Sequence, residues 1–450
     1  MTFLDQILPR FVRDDPLLAK LFTKSGGDVV VRGLGLFLIL LMNAVLARVA
    51  GVEAFGHYVY ITSVVFIATM LARQGMDSSI SRLVPAYVAK AEWGRLNGVI
   101  RWMLLRVALV SLALAAVGIL ILPFLRDGLA PGLYDAAFWG MFLIPVYSLA
   151  LLVQSALRGR LWIVLAQIPD LIVRPCAVII LILSLSYAGY QIDGAVAFQV
   201  VIAATLLALI IVAYWFNRSL PKEARGVAGV IEAGEWRSVS SKLLLASGAN
   251  LLLTQIDVLM LGPLVSTDVA SFYSVASRIS GVTLFAIVAL GSIGGPMVSE
   301  LFALEKHDEL KRLAKVIGRT AFLAVLPIVC VLAAFGGSIL SLFGEAFQVA
   351  YTPLLILLAS QLATALFGPA ALLLTMTVHE DAAARFLLMS LVANIVLNAA
   401  LIPLFGMTGA AIATGTTTVL PVLAMSIAVR RRIGISTLII GRIGGDTRSD

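Results

Sequence analysis

Apolar windows of about 20 residues recur along the whole chain, separated by short polar breaks, and each is long enough to cross a bilayer as a helix. In the first half they predict spans near 28–49, 56–76, 102–125, 135–157, 162–187 and 193–216. In the second half the spans fall near 242–265, 268–293, 316–343, 350–378, 383–404 and 408–430. The expectation is an all-α polytopic membrane protein with twelve transmembrane helices.

The pattern is also written twice. GVEAFGHYVYITS (51–63) resembles STDVASFYSVASR (266–278), which sets Tyr58 over Tyr273. GRLNGVIR (94–101) resembles KRLAKVIGR (311–319), Tyr134 precedes span four as Tyr351 precedes span ten, and DGAVAF (193–198) resembles TGAAIA (408–413). The offset stays at 215 to 218 across these separated patches. A period of six spans is even, so the two six-helix lobes enter the membrane in the same sense and are parallel, related by an axis along the membrane normal. This divides the chain into an N-terminal interfacial segment (1–27), an N-lobe (28–216), a linker (217–241), a C-lobe (242–431) and a tail (432–450).

Composition agrees with the pattern: 60% of residues are hydrophobic and 13% charged, with a mean hydropathy of +1.02. No stretch between spans is long enough for a soluble domain, so function is expected inside the bilayer. All but five of the 33 Lys and Arg fall on one side when the N-terminus is assigned inside. Only Arg48 and Arg126 fall outside, and Arg32, Arg174 and Arg278 lie within spans. The positive-inside rule then places both termini and the linker in the cytoplasm. The basic balance is therefore topology rather than a nucleic-acid footprint. Phe3, Leu4, Ile7, Leu8 and Phe11, beside Arg10 and Arg13, predict a short interfacial helix, and Leu301 to Leu313 predict another after span eight. Cys176 and Cys330 lie in apolar runs without metal-ligand spacing and read as packing residues.

No enzyme constellation is visible. His57, His307 and His379 are scattered, and HExxH, GxSxG and P-loop patterns are absent from the sequence, so no metal site, cofactor or catalytic residue is expected. What remains is charge in apolar surroundings, which costs about 2.5 to 3.5 kcal/mol per residue on insertion scales and marks pathways or buried pairs. Asp257 and Arg278 lie on consecutive spans, either paired as a lock between two helices or facing a cavity. On span five Asp170 and Arg174 sit four apart on one face between Pro169 and Pro175, where a bend is expected. Arg32, a turn into span one, either snorkels to the surface or lines a cavity. Arg48 reads as interfacial. Arg73, Asp77 and Arg82, around Gly75, predict a bend near the inner face and a cytoplasmic gate. Intramembrane arginine favours anions and binds phosphate through its fixed fork.

These residues resemble a known family over most of the chain. ARVAGVEAFGHY (47–58), GMDSSISRLVPAY (75–87), LRGRLWIVLAQIPDLIVRP (157–175), IDVLMLG (256–262) and FYSVASRI (272–279) look like bacterial polysaccharide and O-antigen flippases of the multidrug/oligosaccharidyl-lipid/polysaccharide exporter superfamily. The resemblance implies two six-helix lobes around a central cavity, a lateral opening for a lipid tail, and rocking between access states. It implies an undecaprenyl-diphosphate-linked oligosaccharide moved from the cytoplasmic to the periplasmic leaflet of the bacterial inner membrane, for surface polysaccharide biosynthesis. By position, Arg32, Arg278 and Arg174 become substrate-binding candidates, and Asp257 and Asp170 coupling or structural residues. The two further spans of lipid II flippases are absent. Alternatives are a multidrug/cation antiporter of the same superfamily and a non-transport scaffold that meets a polysaccharide polymerase or glycosyltransferases.

Overall fold

Twenty apolar residues in a row have no route to satisfy their peptide groups in lipid except a helix, and the computed structural model, whose described residues are 16–376, 380–433, 435 and 437, is built of helices joined by short loops. The expected interfacial helix near Phe3, His379, and most of the tail lie outside them.

The helices are α1 (Pro16–Arg73), α2 (Met76–Ala89), α3 (Trp93–Leu125), α4 (Pro131–Gly159), α5 (Ile163–Ile168), α6 (Arg174–Tyr187) and α7 (Gly194–Ser219) in the first half. The second half holds α8 (Ala233–Leu264), α9 (Thr267–Ser280), α10 (Val282–Ala303), α11 (His307–Ser341), α12 (Tyr351–Leu366), α13 (Ala370–Met376) and α14 (Glu380–Ile433). Eight stretches among the described residues are long and apolar enough to cross a membrane. Two of these, 44 and 47 residues long, would run about 65 to 70 Å if straight, twice the hydrocarbon thickness. Each is broken by a glycine in a conformation other residues avoid: Gly51 (φ 80°) in α1 and Gly406 (φ 56°) in α14. At the second break the chain doubles back so tightly that a side chain on Gly409 would meet the Leu401 carbonyl oxygen. Each therefore supplies two crossings, and Gly248–Leu264 with α9 and α10 supplies two more, an arrangement consistent with twelve spans.

Three expected features take a definite form. The bend in span five is a π-helical turn, Pro169–Val173, joining α5 to α6. The break after span two is a left-handed pair, Gln74 (φ 50°) and Gly75 (φ 76°), after which α2 begins. The interfacial helix expected after span eight does not stand alone: residues 301–303 end α10, and from His307 onward the chain is the first part of α11.

The lobes meet along two seams. Gly262 of α8 packs on the Tyr60 ring and Gly248 on Met70, so spans two and seven run antiparallel side by side. Gly56 approaches Thr267 and Asp268, while Gly33 approaches Phe285, pairing spans one and two with α9 and α10. One apolar cluster crosses both lobes on the face opposite the linker, including Phe55, Tyr58, Leu261, Tyr273 and Phe347. On the linker face the core splits into one cluster per lobe, around Met103 and Trp236 in the first and around Leu310 and Leu373 in the second.

The linker belongs to the first lobe's cluster. Trp236 is fully buried, donates its indole N–H to the Tyr87 hydroxyl at 3.0 Å, and packs at a tilt against Trp102, with ring centroids 5.5 Å apart. Val230 N–H donates to Gly94 O at 2.9 Å, and Arg95 binds Glu232 at 2.8 Å. Hydrogen bonds to Glu92 and Glu232 hold the Arg95 guanidinium above its ordinary pKa, and burial pushes the Tyr87 hydroxyl up.

Candidate functional site

Spans of the first lobe, completed by a side chain from the second, enclose a cavity of about 180 Å³. The π turn shapes one wall. Pro175 has no N–H to donate, so the helix widens before it, and Asp170 and Arg174 are presented on one face. Arg174 donates Nε–H to Asp170 Oδ1 at 2.9 Å and lies 5.4 Å over the Tyr147 ring. Both partners are largely buried, at 12% and 23% exposure, so the pair cancels its charge locally. Arg278 enters the same cavity from α9, one turn before that helix breaks at Gly281. Its Nε–H reaches only Ser274 Oγ, at 3.3 Å, and among the described residues it forms no ion pair. The cavity thus holds one net positive charge.

Its lining also carries unsatisfied acceptors. Asn43, 1% exposed, donates its amide to Ile39 O at 2.7 Å, but its Oδ1 has no partner among the described residues, and neither has Thr62 Oγ1. Both residues line the cavity, although buried polar atoms are nearly always paired.

Asp257 and Arg278 are not a pair, which settles the alternative left open by their spacing. Asp257 turns into the second lobe, 4% exposed, and accepts from Tyr273 Oη and Thr414 Oγ1, each at 2.5 Å, and from Asn398 Nδ2 at 2.7 Å. Asn394 extends the cluster to Asn398 at 3.0 Å, Thr414 at 3.3 Å and Thr417 at 3.2 Å. A buried carboxylate is tolerated only with such donors. Sequence reading missed Asn394, Asn398 and Thr414, although two asparagines four apart inside an apolar span are a usable signal. It also missed Asn43, Thr62 and Tyr147.

The remaining candidates spread toward the linker face. Arg73 and Asp77 pair at 2.5 Å and line a crevice of about 250 Å³ between the lobes, opposite Asn250 and Thr254 of α8. Arg82 is exposed outside that crevice. Arg32 is exposed on α1, in the field of Arg158, and is not among the cavity's lining residues. Arg48, on the opposite face, crosses the lobes: its Nε–H donates to Leu342 O at 2.8 Å and its Nη2 to Ser341 O at 3.0 Å, capping the C-terminus of α11.

Two lobes of apolar helices closed over a buried charged cavity define a polytopic membrane protein of the transporter type. A family model described as "Polysaccharide biosynthesis protein" matches residues 22–302, and the chain belongs to that family. It is 30% identical over 162 residues to "Probable flippase AglR" of Haloferax volcanii, a match covering 35% of this chain and 34% of the relative, so it spans about a third of that relative's length. Among solved structures, an inward-facing multidrug resistance MATE family transporter of the MOP superfamily is similar with a TM-score of 0.72 at 13% identity, over 90% of this chain and 98% of that one. The lipid II flippase MurJ in an inward closed conformation is similar with a TM-score of 0.67 at 15% identity, over 91% and 87%. These likenesses establish the fold.

Proposed function

We propose that this protein is a flippase that carries a polyprenyl-diphosphate-linked oligosaccharide, of the undecaprenyl type, from the cytoplasmic to the periplasmic leaflet of the bacterial inner membrane. The observation that carries the reading is Arg278: a half-buried guanidinium without a carboxylate partner among the described residues, lining a cavity whose other cation is already neutralised. A fork of N–H donors in low dielectric suits a phosphate, and the orphaned Asn43 and Thr62 oxygens suit hydroxyl-rich cargo. The same positive balance speaks against a cationic drug.

In this mechanism Arg278 holds the diphosphate and the polyprenyl tail stays in lipid along a seam. Arg174, pinned by Asp170, shapes the wall and adds a second donor set when the lobes move. Arg32 lies nearer the linker-side entrance and draws the headgroup in. The Arg73–Asp77 pair is the cytoplasmic gate. The Asp257 cluster, remote from that charge and built of carboxylate, amide and hydroxyl oxygens, is the coupling site for a proton or Na⁺. Topology follows the distribution of Lys and Arg, with the linker and termini in the cytoplasm.

The test uses the purified chain alone in liposomes with a labelled polyprenyl-diphosphate sugar. Movement between leaflets is expected. Inactivity of a correctly folded protein, across either a proton or a Na⁺ gradient, sinks the reading.

A further inference from the structure

On the outer flank of the first lobe, separate from the central cavity, lies a groove of about 660 Å³ between the end of span two, α3 and the first turns of α8. Its walls differ in character. Leu71, Val110 and Leu114 form an apolar half, continuous with the exposed apolar strip of α3 that includes Leu105, Leu109 and Leu112. Its lining also carries two arginines, Arg106 from α3 and Arg237 from α8, with the exposed Ser238 next to Arg237 in the chain.

Arg106 is held in place. Its Nε–H donates to Gln74 Oε1 at 3.0 Å and its plane lies 5.3 Å over the Trp102 ring, leaving both terminal amino groups without an acceptor among the described residues. Neither Arg106 nor Arg237 forms an ion pair there. A guanidinium fixed through Nε and an aromatic face presents its outer edge for bidentate contact with a phosphate. Arg237, exposed on the same groove, adds a second guanidinium, and two cations lining one groove match two phosphates better than one. The groove also shares Leu244 with the crevice lined by Arg73 and Asp77, so it adjoins the route between the lobes.

We propose that this groove is a loading site for an isoprenoid diphosphate: Arg106 and Arg237 bind the two phosphates at the membrane interface and the chain lies along Leu71, Val110 and Leu114 before the headgroup passes between the lobes. The inference rests on the flippase reading for its purpose, and on the groove's own geometry for its chemistry. Ordinary anionic phospholipid is the competing occupant, and its single phosphate engages one arginine.

The experiment places the full chain in neutral phosphatidylcholine nanodiscs and titrates geranylgeranyl diphosphate, with the monophosphate, the alcohol and phosphatidylglycerol as comparators. Trp102 lies beneath Arg106, so its fluorescence, identified by loss of the signal in Trp102→Phe, reports this groove rather than the central cavity. Arg237→Gln, at an exposed position, should weaken diphosphate binding about tenfold, and Arg106→Gln similarly. Unchanged affinity in Arg237→Gln, or displacement of the diphosphate by equimolar phosphatidylglycerol, overturns the proposal. Normal binding here together with absent translocation rejects the flippase reading alone, while translocation by the parent with no fluorescence response rejects only the groove.

Discussion

Arg174 and Arg278 have the same chemistry, and their neighbours give them different duties. Asp170 neutralises the first at 2.9 Å, while the second has only the Ser274 hydroxyl at 3.3 Å. Arg278→Ala should therefore lower liposomal translocation at least about tenfold at equal protein density. Arg278→Lys should keep part of it, because the charge remains but the fork is lost. Equal rates for the alanine variant and the parent would refute the assignment. Asp257 gives the complementary case. Asn398 and Thr414 hold its carboxylate within the second lobe, so Asp257→Asn should abolish dependence of transport on an imposed proton or Na⁺ gradient without weakening headgroup binding. A gradient response of parental size in that variant removes Asp257 from coupling.

Among the elements, α8 joins two bodies. Its first turns are fastened to the first lobe through Trp236, Tyr87 and Trp102, while its apolar part, Gly248–Leu264, forms the second lobe's first span. Emptying the Trp236 site should cost about 3 to 5 kcal/mol. Trp236→Ala should accordingly lower the unfolding temperature in detergent, whereas Arg237→Gln next to it should not. Arg48 plays the matching part on the other face, where its guanidinium caps the last carbonyls of α11 across the lobes. Cations at helix C-termini contribute about 0.3 to 1 kcal/mol, too little to hold a fold yet enough to bias two access states. Arg48→Gln should raise the labelling rate of a cysteine introduced at Phe347, with no change in unfolding temperature. Unchanged labelling there removes Arg48 from the closure.

For the whole molecule, the telling fact is where the apolar core is shared. It is continuous between the lobes on the face opposite the linker and divided on the linker face. Phe55 of the first lobe meets Phe347 of the second edge to face, with ring centroids 5.8 Å apart. For the lobes to rock about the central cavity and open that face, this contact must break. Cysteines at positions 55 and 347, in a background lacking Cys176 and Cys330, should cross-link and halt transport, and reduction should restore it. Parental transport by the cross-linked protein would rule out rocking at this seam.

Hydrophobic periodicity and the internal repeat were sufficient for the helical class and the two-lobed architecture, because lipid leaves a chain of apolar segments few other structures. The bend at Pro169 to Pro175, the break at Gly75 and the Asp170–Arg174 pair were legible for the same local reason: proline, glycine and i,i+4 spacing act within a turn or two of helix. Partners distant in the chain were not. Asp257 meets Asn398 and Thr414, 141 and 157 residues away, and Arg48 meets Leu342, 294 residues away. Only tertiary packing decided that Asp257 and Arg278, neighbours on consecutive spans, turn away from each other, the one into a satisfied cluster and the other into a cavity with charge to spare. Lipid makes an intramembrane charge costly, and the packing of the lobes dictates whether it meets a partner or lines a cavity.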